Sequence, residues 1–138
     1  GELNASRVKI LRDRLQSIDK EIPIMQAISV EDMSAVEFAK EYEDVSDYFI
    51  LDTSTSLVQG VGASGKVHDW NVSKAIVDSV KIPVILAGGL SPENVRDAIE
   101  KVKPWGVDSL THTNKILDNG DFVKDITKVR KFFKNATG

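Results

Sequence analysis

The stretch from Ile82 to Asn94, Ile-Pro-Val-Ile-Leu-Ala-Gly-Gly-Leu-Ser-Pro-Glu-Asn, restricts the fold more than any other part of the chain. Val84, Ile85, Leu86 and Ala87 form an unbroken apolar run that suits a parallel strand covered on both faces, and the run stops at Gly88 and Gly89. Ser91 is a good helix N-cap and Pro92 suits a first helical position, so a helix is expected to begin just past the glycines. Free amides and the positive end of a helix dipole then converge on backbone without side chains, a place that a phosphate can reach. The same glycines equally suit a tight turn after a buried strand, with no ligand at all.

The rest of the chain repeats this strand-then-helix order. Val8, Leu11, Leu15 and Ile18 recur at helical spacing between charged residues, which predicts an amphipathic helix over Ser6 to Ile18. Pro23 precedes a strand at Ile24 to Val30, and Asp32 or Ser34 caps a helix running to about Glu43. Its acidic last turn is unfavourable at the negative end of the dipole. A second strand, Tyr48 to Leu51, ends at Asp52 and opens into a long polar loop, Thr53 to Asp69, of the length that usually carries function. Asn71 to Val80 and Pro92 to Val102 read as helices and Gly106 to Leu110 as a fourth short strand. Thr111 to Asp121 reads as a second polar loop and Ile126 to Phe133 as a closing helix. Helix followed by four strand–helix units implies an α/β fold with a parallel sheet, either open and doubly wound or an arc of a barrel; both put their sites after the strands.

Composition narrows the function classes. The 138 residues suit a single domain, residues 1–138, and 41% hydrophobic with 28% charged residues is a globular balance. A net charge of −3 without basic blocks argues against nucleic acid. No apolar stretch reaches membrane-spanning length, and the expected location is the cytoplasm. There is no cysteine, which removes disulfides, thiol nucleophiles and thiolate ligands. His68 and His112 are the only histidines and show no repeated ligand spacing, so a metal site is not expected.

Several stretches, in this order, resemble phosphoribosylanthranilate isomerase of tryptophan biosynthesis, a TIM barrel. They are Ile50-Leu51-Asp52-Thr53, Gly62-Ala63-Ser64-Gly65, His68-Asp69-Trp70, Leu86-Ala87-Gly88-Gly89-Leu90-Ser91-Pro92-Glu93-Asn94-Val95, and Pro104-Trp105-Gly106-Val107-Asp108. The resemblance covers nearly the whole chain, and the Leu-Ala-Gly-Gly-Leu-x-Pro-Glu-Asn-Val run is its most specific part. It implies that the first helix is the barrel's fourth and that the strands are its fifth to eighth, a half TIM barrel. A full barrel takes roughly 200–250 residues, so a fragment or a shortened relative is expected.

In that family an aminoaldose ring is opened by a general acid and a proton is moved from carbon two by a general base, an Amadori rearrangement without metal or cofactor, so the resemblance implies no cofactor here. The resemblance gives the acid as Asp52; from the residues alone, Asp52 also reads as a turn cap at a strand end. The family's base is a cysteine on the first strand, absent here with the arginine of the second strand. Phosphate is expected on the amides of Gly88 and Gly89 and on the turn at Thr111 to Asn114, where His112 replaces a glycine and Lys115 is a possible further contact. His112 equally reads as a solvated loop residue. Asp108 matches a carboxylate near the substrate, although a buried Asp held by backbone amides would look the same. Gly62 and Gly65 fall in the family's substrate-covering loop; Asp69 reads as a helix cap and Trp70 as packing behind the loop.

Three functions compete: the isomerase or its carboxyl part, a non-catalytic phosphate-ligand binding or interaction protein that kept the anion site, and another phosphosugar isomerase or synthase on the same scaffold. The chain alone is expected to be inactive for want of the base. Ile24, Ile50, Ile85 and Val107 are expected to face inward with no opposite wall, so a missing amino-terminal half or a homodimer should cover them.

Overall fold

The computed structural model describes residues 3–52 and 70–138. Its elements are α1 (Ala5–Ile18), β1 (Met25–Ser29), α2 (Ser34–Glu43), β2 (Tyr48–Asp52), α3 (Trp70–Ser79), β3 (Val84–Leu86), α4 (Val95–Val102) and β4 (Gly106–Val107). A 3₁₀ turn (Thr111–Thr113), β5 (Asn114–Ile116), β6 (Phe122–Lys124) and α5 (Ile126–Thr137) follow. The glycine-bearing loop expected from Thr53 to Asp69, with Gly62, Gly65, His68 and Asp69, lies outside the described residues.

The first four strands pair in parallel in the order β1-β2-β3-β4. Each strand is added beside the previous one, and right-handed crossovers then put every helix on the same side of the sheet. A doubly wound sheet reverses direction and has helices on both faces. This sheet is therefore an arc of a barrel, which resolves the alternative that the residues alone left open.

Burial shows the same one-sidedness. Ile28, Phe49, Leu51, Val84 and Leu86 are buried and cluster with Val36, Ala39 and Tyr42 of α2, Ile76 of α3, and Ala98 and Val102 of α4. The alternate residues form the other face: Ala27, Ile50, Ile85 and Gly106 lie side by side in one row. Met25 on that face is 54% exposed. The expectation for Ile50 and Ile85 holds, but that for Ile24 and Val107 is corrected. Val107 is in register with Leu86 and, like Ile24, packs against the helix-side core. Strand alternation puts Gly106 in the inward position instead.

Polar contacts fasten the helices to the sheet. Arg12 of α1 reaches Asp47 Oδ2 at 2.7 Å and the Val45 carbonyl at 3.0 Å, while the Asp47 carboxylate also accepts the Ile24 amide at 2.7 Å. Burial raises the pKa of Asp47, but the Arg12 and Ile24 hydrogen bonds outweigh it and leave the carboxyl below its usual value. The acidic end of α2 has a partner too: Glu43 accepts the Lys81 amide beyond α3, which offsets its adverse position on the helix dipole.

The expected loop at Thr111 to Asp121 is the main error about the fold. It contains the 3₁₀ turn and opens an antiparallel hairpin in which Ile116 faces Phe122. Gly120 turns the hairpin at φ +86°, and its amide donates to the Leu117 carbonyl at 2.9 Å. Asn-Gly between Lys-Ile-Leu and Phe-Val-Lys is a recognised hairpin signal, hidden by strands only three residues long and by the surrounding polarity.

Candidate functional site

At the carboxyl end of the sheet, register brings three strand ends to one level. Asp52 pairs with Ser29 across β1 and β2. The Ala87 amide donates to the Leu51 carbonyl at 2.8 Å and the Asp108 amide to the Leu86 carbonyl at 2.9 Å, which extends the rows past the strands. Asp52, Ala87 and Asp108 thus follow Ile50, Ile85 and Gly106 by two residues each, on the helix-free face. Only a strand bearing an alanine separates the two carboxylate-bearing positions, roughly 9–10 Å by strand spacing. Both aspartates are exposed, so the alternative of a buried, backbone-satisfied Asp108 does not describe this chain.

Next to them, Gly88 and Gly89 take φ +82° and +68°, turning the chain from β3 towards α4. Side chains rarely adopt this conformation, which accounts for two glycines here. A Cβ on Gly89 would meet nothing within 4 Å, so the space before this backbone is open. Among the described residues, the amides of Gly88, Gly89 and Leu90 donate to no protein acceptor. The helix expected from Pro92 begins at Val95, preceded by a turn over Pro92, Glu93 and Asn94. The Asn94 and Val95 amides both donate to the Ser91 carbonyl, at 3.3 and 3.1 Å, a tightened first turn that keeps Ser91 at the cap. Ser91 Oγ accepts the Glu93 amide at 3.2 Å, and Asn94 Oδ1 accepts the Ser91 amide at 2.8 Å. This is the reciprocal arrangement of a capping box, with Asn in the third position.

The loop after β4 is tied to this one. Ser109 Oγ donates to the Leu90 carbonyl at 2.7 Å, and buried Thr113 donates back within its own 3₁₀ turn. Lys124 of β6 donates to Thr113 Oγ1 at 2.9 Å and to the Leu110 carbonyl at 2.7 Å, fixing the turn from the hairpin. Ser109 and Lys124 escaped the sequence reading. Lys124 acts through a hairpin taken there for a loop, and Ser109 through a carbonyl on the preceding strand–helix unit.

Thr111 and His112 do meet the start of α4. They line a cavity of about 980 Å³ with Ser91, Phe122, Lys128 and Lys131, between the 3₁₀ turn, the hairpin and α5. Lys115 lines it as well; among the described residues, Asp52, Gly88, Gly89 and Asp108 do not. The expected site residues therefore fall into two groups, one on the open face of the sheet and one behind the α4 start. Glu93 lines the cavity, and the hydrogen bond from Lys131 at 2.8 Å holds its carboxyl below the ordinary value. Among the described residues, no three His, Asp or Glu side chains are grouped to hold a metal ion.

This geometry has counterparts in known proteins. The family model for N-(5'-phosphoribosyl)anthranilate isomerase matches residues 9–135. The chain is 39% identical over 127 residues to the N-(5'-phosphoribosyl)anthranilate isomerase of Methanocella arvoryzae, covering 90% of this chain and 56% of that protein. The phosphoribosyl anthranilate isomerase of Thermotoga maritima superposes with a TM-score of 0.68 at 32% identity, over 91% of this chain and 57% of that one. A phosphoribosyl anthranilate isomerase solved with reduced 1-(o-carboxyphenylamino)-1-deoxyribulose 5-phosphate gives a TM-score of 0.65 at 28% identity, over 91% and 54%. The chain spans about half the length of the relatives it matches.

Proposed function

Because the chain belongs to the N-(5'-phosphoribosyl)anthranilate isomerase family of tryptophan biosynthesis, we propose that it is one partial-barrel domain supplying the carboxyl-terminal half of such an isomerase. In this reading it acts in the cytoplasm on an aminoaldose phosphate. The observation that carries the reading is the common level of Asp52 and Asp108 on the helix-free face, beside the amides of Gly88 to Leu90, which donate to no acceptor among the described residues. Phosphate sits on those amides, while Thr111 and His112, expected to assist, line the separate cavity behind the α4 start. Asp52 gives its proton to the ring oxygen and so opens the ring, and Asp108 holds the substrate. The relative solved with a ribulose 5-phosphate derivative supports a ligand of this class.

The base is absent from the sequence, which has no cysteine. A positioned acid or base contributes roughly 10²–10⁴-fold, so this chain alone does not turn over substrate at an enzymatic rate. Its helix-free face takes either the strands of an amino-terminal half or a second copy of the chain. Titrating the protein with ribose 5-phosphate while following amide resonances tests the reading. Movement at Gly88 and Gly89 is expected, and unmoved signals there would refute it.

A second reading, a non-catalytic phosphate-ligand binding or interaction protein, draws on His112 at the turn, where the family pattern has glycine. That reading predicts the same phosphate response with no turnover even when an amino-terminal half carrying the base is supplied.

A further inference from the structure

Between Gly89 and Val95 one side chain holds two parts of the backbone at once. Asn94 Oδ1 accepts the Ser91 amide at 2.8 Å, and Asn94 Nδ2 donates to the Gly89 carbonyl at 3.1 Å. The first bond belongs to the helix cap. The second does nothing for the helix: it reaches back five residues to the second of two left-handed glycines. Ser109 Oγ holds the next carbonyl, that of Leu90, at 2.7 Å. Thus the carbonyls of Gly89 and Leu90 and the amide of Ser91 are all occupied, while the amides of Gly88, Gly89 and Leu90 have no protein acceptor among the described residues.

We infer that Asn94 is a positioning residue for anion binding: it fixes the Gly89 peptide so that the Gly88 to Leu90 amides are set before the ligand arrives. The inference rests on the reading of those amides as the phosphate site. Two adjacent glycines have the widest backbone freedom of any dipeptide, and ordering them on binding would subtract from affinity. Anchoring their carbonyl side moves that cost into folding. Asparagine meets the geometry because its amide offers an acceptor and a donor at one end; aspartate offers only acceptors, and alanine neither.

The experiment uses the 138-residue chain, inorganic phosphate as probe, and ¹⁵N relaxation and amide shifts as readouts. In Asn94→Ala, phosphate affinity is expected to fall about tenfold through lost preorganisation. Asn4→Ala removes the cap of α1 at the other edge of the sheet, where Asn4 Oδ1 accepts the Arg7 amide at 3.0 Å. It should cost comparable stability and leave phosphate affinity unchanged. Asn94→Asp keeps the acceptor for Ser91 and puts negative charge at the helix start, so its thermal stability should be retained. Gly88 to Leu90 should nevertheless gain mobility without ligand, because the Gly89 carbonyl has lost its donor. Native phosphate affinity in Asn94→Ala, or native loop order in Asn94→Asp, would overturn the inference. Should phosphate leave the unsubstituted chain's Gly88 to Leu90 unmoved, the phosphate reading fails by itself, and the ligand-free loop order still decides whether Asn94 positions these amides.

Discussion

At Gly89 a left-handed φ of +68° coincides with open space where a side chain would go. Gly89→Ala should therefore destabilise through backbone strain alone, by about 1–2 kcal/mol in urea unfolding, without the larger loss that a clash brings. Asp47 gives a pH-dependent counterpart. Its carboxyl is depressed in the folded chain, so the unfolded chain binds more protons around the ordinary carboxylate pKa and stability rises with pH there. The Asp47 contribution should be complete above the ordinary value and lost as pH falls through the folded one. Asp47→Asn should flatten that part of the dependence in thermal melts between neutral and acidic pH, and an unchanged slope would count against the Arg12–Asp47 pair. At this scale the sequence was informative where backbone conformation dictates residue type, as at Gly88, Gly89 and Ser91. It was silent on Ser109 and Lys124, whose partners are distant in the chain.

Among elements, long periodic segments were legible and short ones were not. The β2 strand was read to within one residue, and α1 likewise. The start of α4 moved from Pro92 to Val95 because the i→i−3 bond onto Ser91 makes the first turn tighter than an α-helix. The hairpin was missed because its apolar residues are not buried: Ile116 is 75% and Phe122 is 66% exposed, so no alternation of inside and outside marks its strands. Its value to the site is mechanical, through Lys124 holding Thr113 and Leu110. Lys124→Met should loosen the 3₁₀ turn, costing about 1–3 kcal/mol in chemical unfolding and speeding hydrogen exchange at Thr111 to Asn114. Native exchange there would show that the turn stands without the hairpin.

At the scale of the molecule, among the described residues, the sheet is covered on one face and bare on the other, and β1 and β4 each keep an unpaired edge. Exposed Met25 on the bare face and Leu11, Ile126 and Phe133 on the outermost helices call for cover. In sedimentation the chain alone should run as a dimer or larger, and a cooperatively unfolding monomer would refute this. The half-barrel was legible because strand–helix alternation and the glycine-ended strand need no other part of a barrel to be read; what covers the bare face was not, because the edges of β1 and β4 carry no mark of their partner. The proposal that the chain provides the acid half of an isomerase site meets its most direct test in turnover of phosphoribosylanthranilate. The assay compares the chain alone, the chain with an amino-terminal half-barrel carrying the cysteine, and both with Asp52→Asn. Turnover only after supplementation, lost by at least about 10²-fold in Asp52→Asn, is the expected result; robust turnover by the chain alone, or turnover indifferent to Asp52→Asn, would contradict it.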